Sequence, residues 1–287
     1  MSQSPDIDGF VQPRDIKLHY TVWNADAEET TLLVHGLNRE LHVWDSVAQR
    51  LAESRRVVCV DLRGHGKSDW AEEGYPVRAF AQDLIDLLEA LGIDDIQYAA
   101  HSFGSIIGIV FAAEWTGRIR RLFLSECGPE IPREQALALR EFSRKRRTVF
   151  DSPEQALEHL RAANPGWRDE FHRTALEHEL RRNWVGKVVR RADPELHWLY
   201  ETEIVDGNPY LWDCWARIAA PISVLWASRS DFLDERIVAR MRELQPAMSL
   251  HRPEGTHYFL RESPEEFLRF AEADLGFRAE AADPVPD

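Results

Sequence analysis

The sequence has few cysteines and no long apolar run. Its 287 residues include three cysteines, Cys59, Cys127 and Cys214, which are too few and too scattered for a disulfide framework, and no CxxC pair suggests structural zinc. No window approaches the roughly 18 apolar residues of a membrane span, and the opening MSQSPDIDGF has neither the basic nor the apolar region of a signal peptide. These absences predict a soluble protein, and we expect it to be cytoplasmic.

Positive charge is also scarce. The chain has 35 Lys and Arg against 49 Asp and Glu, a formal charge of −14, which opposes binding to nucleic acid or to an anionic membrane. Its eleven histidines show no HxH or HExxH spacing, and no glycine-rich phosphate loop occurs. We therefore expect a small-molecule partner, no cofactor and no metal, while nothing in the sequence indicates an oligomeric state.

A regular alternation of strand-like and helix-like segments is what the sequence does contain. Apolar runs such as TLLVHG (31–36) and DIQYAAHS (95–102) each precede a segment with helical spacing, which predicts βαβ units and a mostly parallel sheet. The alternation stops between about 130 and 215, where helical spacing dominates. We expect residues 1–129 and 216–287 to form one α/β core and residues 130–215 to form a helical cap.

Ser102 lies where a predicted strand meets a predicted helix, in Ala100-His101-Ser102-Phe103-Gly104. A sharp turn at such a junction holds a serine hydroxyl clear of both elements, at the edge where open α/β sheets bind ligands. Small residues two positions before and after the serine would avoid a collision across the turn. Ser102 is therefore the candidate nucleophile.

A serine nucleophile needs a base, and the base needs a carboxylate to orient it. His257 lies in a loop before the final predicted helix, where the base is expected. Two acids end predicted strands at the same sheet edge: Asp231, after PISVLWASRS, and Glu126, after RRLFLS. We favour Asp231, because its loop lies in the more usual position, and keep Glu126 as the alternative.

The oxyanion of a tetrahedral intermediate also needs two N–H donors. The turn itself supplies the N–H of Phe103, and the loop His35-Gly36-Leu37-Asn38 supplies that of Leu37. Around these groups we expect a substrate pocket that includes His35, Asn38, His101, Trp184 and Tyr258.

With these residues in place, the chain resembles the α/β-hydrolase superfamily. The matching segments are LLVHG (32–36), VDLRGHGKSD (60–69), AHSFG (100–104), PISVLWASRSD (221–231) and GTHYF (255–259). The resemblance implies an eight-stranded, mostly parallel sheet with a helical cap inserted after the sixth strand, and a triad of Ser102, Asp231 and His257. Ala100 replaces the first glycine of the usual GxSxG motif, and the loop before Asp231 lacks its usual glycine.

The resemblance implies several activities. The chain is most similar to capped esterases, lactonases and meta-cleavage hydrolases, so we expect a serine hydrolase of a carboxylic ester or lactone. Carbon-carbon bond hydrolysis by the same triad is the main alternative. A cofactor-free dioxygenase with a His-acid pair is another, to which Glu126 would correspond, and a ligand receptor with an intact triad is a third. A serine at position 102, where haloalkane dehalogenases and epoxide hydrolases have aspartate, disfavours those two chemistries.

The predicted cap differs in charge from the rest of the chain. Residues 133–191 carry fourteen Lys and Arg against nine Asp and Glu, a local excess of five positive charges. Solvated helix faces with pairs such as Glu177–Arg181 are the favoured explanation. An anionic substrate guided by the cap is the alternative, with Arg181, Arg182, Asn183 and Lys187 as its first candidates. Several tryptophans in or near the cap, Trp184 among them, also make an aromatic or bulky apolar substrate plausible.

Overall fold

An eight-stranded sheet forms the centre of the computed structural model, which describes residues 4–275. Residues 276–287, the end of the predicted second core segment, lie outside the described residues. The sheet consists of β1 (Ile7–Val11), β2 (Leu18–Trp23), β3 (Thr30–Val34), β4 (Arg56–Val60), β5 (Ile96–His101), β6 (Ile119–Ser125), β10 (Ile222–Leu225) and β11 (Ser249–His251). The strand order is β1-β2-β4-β3-β5-β6-β10-β11, and β2 runs antiparallel to both β1 and β4 while the other pairs are parallel. The expected mostly parallel, eight-stranded sheet is confirmed.

Ten α-helices accompany the sheet in the described part of the chain. They are α1 (Asp45–Leu51), α2 (Val77–Ala90), α3 (Phe103–Glu114), α4 (Arg133–Lys145), α5 (Pro153–Ala163), α6 (Asp169–His178), α7 (Pro209–Arg217), α8 (Glu235–Leu244), α9 (Phe259–Glu262) and α10 (Pro264–Leu275). Short 3₁₀ turns span Leu41–Trp44 and Pro194–His197, and a π turn spans Tyr200–Ile204.

The central strands are shielded from solvent because helices cover both faces of the sheet. All residues of β3 and β5 are buried. On one side α3 packs against α2 and α7, and on the other α10 packs against α1 and β6. This double cover fixes β5 and α3 in the middle of the molecule, so the turn that joins them is held from both sides.

The segment between β6 and β10 leaves the main sheet. It contains α4 to α7 together with a small antiparallel sheet of order β7-β9-β8, formed by β7 (Val149–Phe150), β8 (Leu180–Arg182) and β9 (Val188–Arg190). The sequence predicts only helices here, since strands of two or three residues are too short to show alternation. The last helix, α7, packs on the core helices α3 and α8. The domain limits at 130 and 215 stay a prediction.

No helix within residues 4–275 has the length and apolar character needed to cross a bilayer. The three cysteines are buried and unpaired.

Candidate active site

Ser102 occupies a strained turn between β5 and α3. Its φ of 57° and ψ of −123° are unusual for a residue with a side chain. Its N–H donates to the carbonyl of Ser125 on β6 (2.8 Å), and its own carbonyl accepts the N–H of Ser105 in α3 (2.8 Å). The sheet and the helix therefore both hold the backbone of Ser102, and its side chain stands at the carboxyl edge of the sheet.

The glycines around the turn allow the chains to approach closely. A Cβ on Gly104 would lie 2.5 Å from the carbonyl oxygen of Val34 and 2.8 Å from that of His35. A Cβ on Gly36 would lie 3.0 Å from the Cβ of Ser102. The sequence predicts that the small residue at 104 avoids crowding against Ala100, but the atoms nearest to a Cβ at 104 belong to Val34 and His35 at the end of β3. Gly104 is therefore required by the packing of α3 on the neighbouring strand.

Gly104→Ala is expected to destabilise the protein by about 2–4 kcal/mol, because backbone must move to admit the methyl group. Gly9→Ala is the matched control, since its new Cβ would meet nothing nearer than 3.6 Å. Urea unfolding of both variants provides the measurement. Equal stability of the two variants would contradict this account of the turn.

His257 reaches Ser102 from the loop between β11 and α9. Its Nε2 lies 2.9 Å from Ser102 Oγ. His101 Nε2 lies 2.7 Å from the carbonyl of His257, to which it can donate, and the His257 ring stacks on Phe232 at a centroid distance of 3.3 Å. Burial, with the nearby His101 and Arg39, holds the pKa of His257 well below its usual range. The imidazole is therefore neutral near pH 7, as a general base must be.

Glu126 is the carboxylate that the structure brings to His257. It is fully buried just after β6, and its Oε2 lies 3.9 Å from His257 Nδ1. Oε1 accepts the N–H of Ala227 at 2.6 Å, whereas Oε2 and His257 Nδ1 are both buried and have no hydrogen-bond partner within the described residues. A separation of 3.9 Å exceeds a hydrogen bond, but a small shift would join these two unpaired atoms.

Burial raises the pKa of Glu126 to about 7, although Ser230 and the N–H of Ala227 act in the opposite direction. The carboxyl group therefore changes charge near neutral pH.

The structure places Asp231 away from His257, contrary to the favoured assignment. Asp231 is exposed, and within the described residues it makes no hydrogen bond or ion pair. The backbone of its loop bonds to the segment after β11, through Ser228 N–H to Pro253 and Arg229 N–H to Gly255. Because these bonds fix the path of the loop, Ser230 is buried and the side chain of Asp231 lies in solvent.

Two backbone N–H groups near Ser102 are available to an oxyanion. Those of Leu37 and Phe103 have no hydrogen-bond partner in the part of the chain that the structure describes. Phe103 is also the first residue of α3, where the helix dipole favours negative charge. Both N–H groups that the sequence predicts as oxyanion donors are thus unused.

Two buried histidines shape the loop that carries Leu37. His35 Nδ1 lies 2.8 Å from the carbonyl of Gly36 and its Nε2 accepts the N–H of Leu62, while His65 Nε2 accepts the N–H of Asn38. Burial lowers the pKa of His35 and lowers that of His65 to about 3. Both rings are therefore neutral supports of the loop, and His35 is not part of the pocket wall.

A cavity of about 450 Å³ opens over Ser102, a size typical of small-molecule sites. Asn38, His101 and Tyr258, which are among the residues expected around the serine, line it. Apolar and aromatic side chains complete the wall: Leu139 and Phe142 from α4, Leu160 from α5, Tyr200 from the π turn and Phe232 from the loop after β10.

The expectation that Trp184 lines this pocket is wrong. Trp184 is 95% exposed, in the turn between β8 and β9. Asn183 Oδ1 accepts the N–H groups of Val185 and Lys187, and this closes a tight turn that carries the indole into solvent.

The cationic lining of the cavity also differs from the expected one. Arg181, Arg182 and Lys187 are exposed and do not line the cavity. The cations that do line it are Arg39, Lys145, Arg146, Arg147 and Arg190. The sequence did not predict these five residues, although the basic run Arg144-Lys145-Arg146-Arg147 at the end of α4 was an available signal.

One group of potential metal ligands occurs within residues 4–275. Glu40, His42 and His178 place ligand atoms within 4.8 Å of one another, with the two imidazole centroids 3.8 Å apart. Burial, then the neighbouring His42, lowers the pKa of His178 to about 4. None of the three lines the cavity over Ser102, so they are separate from the groups assembled around the serine.

The family model described as alpha/beta hydrolase fold matches residues 31–264. A solved structure of E-2-(acetamidomethylene)succinate hydrolase superposes with a TM-score of 0.85 at 20% identity, covering 94% of this chain and 98% of that one.

Two curated relatives differ in how much of the chain they match. A 3-hydroxybutyrate-oligomer hydrolase of Cupriavidus necator is 33% identical over 46% of this chain, and the chain covers only 47% of its length. An N-formylmaleamate deformylase of Pseudomonas putida is 28% identical over 83% of this chain and 84% of its own length.

Proposed function

Because the chain belongs to the alpha/beta hydrolase fold family, we propose that it is a serine hydrolase in which Ser102 attacks a carbonyl carbon and becomes acylated. The observation that carries the proposal is the 2.9 Å contact between Ser102 Oγ and a neutral His257 Nε2. His257 takes the hydroxyl proton as the Oγ–carbon bond forms, and the N–H groups of Leu37 and Phe103 stabilise the oxyanion. His257 then protonates the leaving group, and the carbon–leaving-group bond breaks.

The second half of the cycle releases the acyl group. Water attacks the acyl carbon, His257 takes its proton, and the bond to Ser102 Oγ breaks as the serine recovers its proton. We propose Glu126 rather than Asp231 as the acid that orients His257, on the basis of its burial and its position 3.9 Å from Nδ1. Its ionised form accepts Nδ1–H and leaves Nε2 free for Ser102.

We propose that residues 130–215 act as a cap over this site. Gln135, Leu139 and Phe142 of α4 and Leu160 of α5 line the cavity from one side, while Ser102 and His257 of the core line it from the other. Substrate bound between the two layers would be shielded from water.

The proposed substrate is a small carboxylic ester or lactone. An N-acyl amide is the second candidate. The relative that matches 83% of this chain and 84% of its own length is named N-formylmaleamate deformylase. A panel tests the choice: 4-nitrophenyl esters from acetyl to octanoyl, simple lactones, and N-formylmaleamate, each with the wild type and Ser102→Ala. Turnover of any of these by the wild type alone supports a serine hydrolase, whereas equal rates for both proteins would contradict it.

The activity is expected to fall as the pH drops through about 7, where Glu126 takes up a proton. Protonated Glu126 no longer attracts His257 Nδ1–H, so the base loses its orienting partner. The pH profile of kcat/KM between pH 5.5 and 9 measures this fall in activity. Its midpoint is a property of the coupled His257–Glu126 pair and not of either residue alone. Glu126→Gln should abolish the fall, and a wild-type profile that stays flat across pH 7 would contradict the assignment of Glu126 as the acid.

A further inference from the structure

A single buried carboxylate lies among four guanidinium groups next to the cavity. Glu179, at the end of α6, is only 4% exposed. Its oxygens lie 3.1 Å from Arg39, 3.3 Å from Arg261, 3.6 Å from Arg190 and 4.0 Å from Arg146. One negative charge therefore faces four positive charges. Because the cluster is buried, water screens its excess positive charge only weakly.

Three of these four arginines face the substrate space. Arg39, Arg146 and Arg190 line the cavity that contains Ser102, whereas Arg261 does not. The side chains of Arg146 and Arg190 are 9% and 6% exposed. Arg190 Nη1 is buried and lies 3.6 Å from Glu179 Oε2, but within the described residues it makes no hydrogen bond. Buried donors of this kind normally make a hydrogen bond, so this one has capacity for a nearer acceptor.

The electrostatics of the cluster agree with this interpretation. Burial, then repulsion from Arg190 and Arg39, holds the pKa of Arg146 well below its usual range. Burial also lowers the pKa of Arg190 to about 10, although Glu179 opposes the shift. The charge of Glu179 alone does not balance the positive charges of the four arginines. A second anion would reduce the repulsion among the guanidinium groups.

We propose that Arg146 and Arg190, assisted by Arg39, bind a carboxylate group of the substrate. This proposal rests on the proposed function and narrows it to esters or amides that carry a carboxylate away from the reacting carbonyl. Arginine forks match planar carboxylates with paired hydrogen bonds. The apolar side chains of Leu139, Phe142 and Leu160, which line the same cavity, suit a short hydrocarbon spacer between the two groups.

Binding to Ser102→Ala tests the carboxylate site with turnover largely suppressed. Monomethyl glutarate carries one carboxylate and one ester, and dimethyl glutarate is its neutral match. Titration calorimetry should show binding of the monoester at least tenfold tighter than that of the diester. Adding Arg146→Gln should weaken monoester binding by about 10- to 100-fold, the usual effect of losing a charged hydrogen bond. Arg181→Gln, an exposed cap arginine outside the cavity, is the matched control and should change binding less than twofold.

The kinetic experiment uses the protein with Ser102 intact. The ratio of kcat/KM for the monoester to that for the diester should exceed about 10 and fall towards 1 in Arg146→Gln. Arg190→Lys, which keeps the charge but loses the fork, provides a second variant should the first fail to fold, and should lower the ratio several-fold.

The two experiments separate the two proposals. Tight monoester binding without turnover of either ester would support the anion site and count against ester hydrolysis. Hydrolysis of both esters at equal rates, with no preference in binding, would overturn the anion site and keep the hydrolase. Tighter binding of inorganic phosphate than of the monoester would overturn the choice of a carboxylate.

Discussion

Ser102→Ala is expected to lower kcat/KM for the best substrate of the ester panel by at least about 10⁴-fold, because no other group can form the acyl-enzyme. The backbone N–H groups of Leu37 and Phe103 would still stabilise an oxyanion, so a slow residual rate above background should persist. Initial rates of the two proteins with the same 4-nitrophenyl ester, at substrate well below KM, give the comparison.

Ser105→Ala is a useful control for this experiment. Ser105 lies three residues away in α3 and donates to the carbonyl of Ser125 at 3.0 Å, but it does not line the cavity. Its loss should cost some stability and leave most of the activity. A Ser102→Ala protein that keeps its fold by circular dichroism and retains more than about a tenth of the wild-type rate would refute the nucleophile.

Glu126→Gln is expected to reduce kcat/KM by about 10²- to 10⁴-fold at pH 8. The glutamine amide can donate a hydrogen bond to His257 Nδ1, and this would favour the tautomer whose Nε2 carries the proton. A protonated Nε2 cannot accept the proton of Ser102. Asp231→Asn, an exposed position without partners in the described chain, should remain within about twofold of the wild type. The reverse ranking of these two variants would restore Asp231 as the acid.

The substitution Glu126→Gln, which is expected to lower activity, should raise the stability of the protein. Because the pKa of Glu126 is raised from 4.5 to about 7 in the fold, the native state binds more protons than the unfolded state between these values, and stability falls as the pH rises through that window. Glu126→Gln removes this buried charge and is expected to stabilise the protein by about 2–3 kcal/mol at pH 8 and by little at pH 4. Thermal melts at both pH values measure the difference.

The features that the sequence predicts well are those with strong local patterns. The strands β3 and β5 are buried and rich in apolar residues, and the small residues around Ser102 indicate a tight turn, so their positions follow from composition and spacing. The edge strand β1 and its neighbour β2 lie before the first segment predicted to be a strand. Half-exposed residues in β1 leave it without a comparable apolar run.

The features that the sequence misses depend on how distant segments meet. Glu126 and Asp231 both follow strands that end at the same sheet edge, and sequence spacing alone cannot show which side chain turns inward. The fold decides it through the bonds between the loop at 228–229 and the segment after β11. Arg39 and Arg190 lie 151 positions apart and share one carboxylate, Glu179, so only the tertiary structure reveals that they belong to one cluster.

Covalent trapping with diethyl 4-nitrophenyl phosphate tests the central claim, that His257 activates Ser102 as a nucleophile, most directly. The account predicts release of one equivalent of 4-nitrophenol per chain, with the diethylphosphoryl group located on Ser102 by peptide mass spectrometry, and labelling at least a hundredfold slower in His257→Gln. Labelling of a different residue, or equally fast labelling of Ser102 when His257 is replaced, would contradict it.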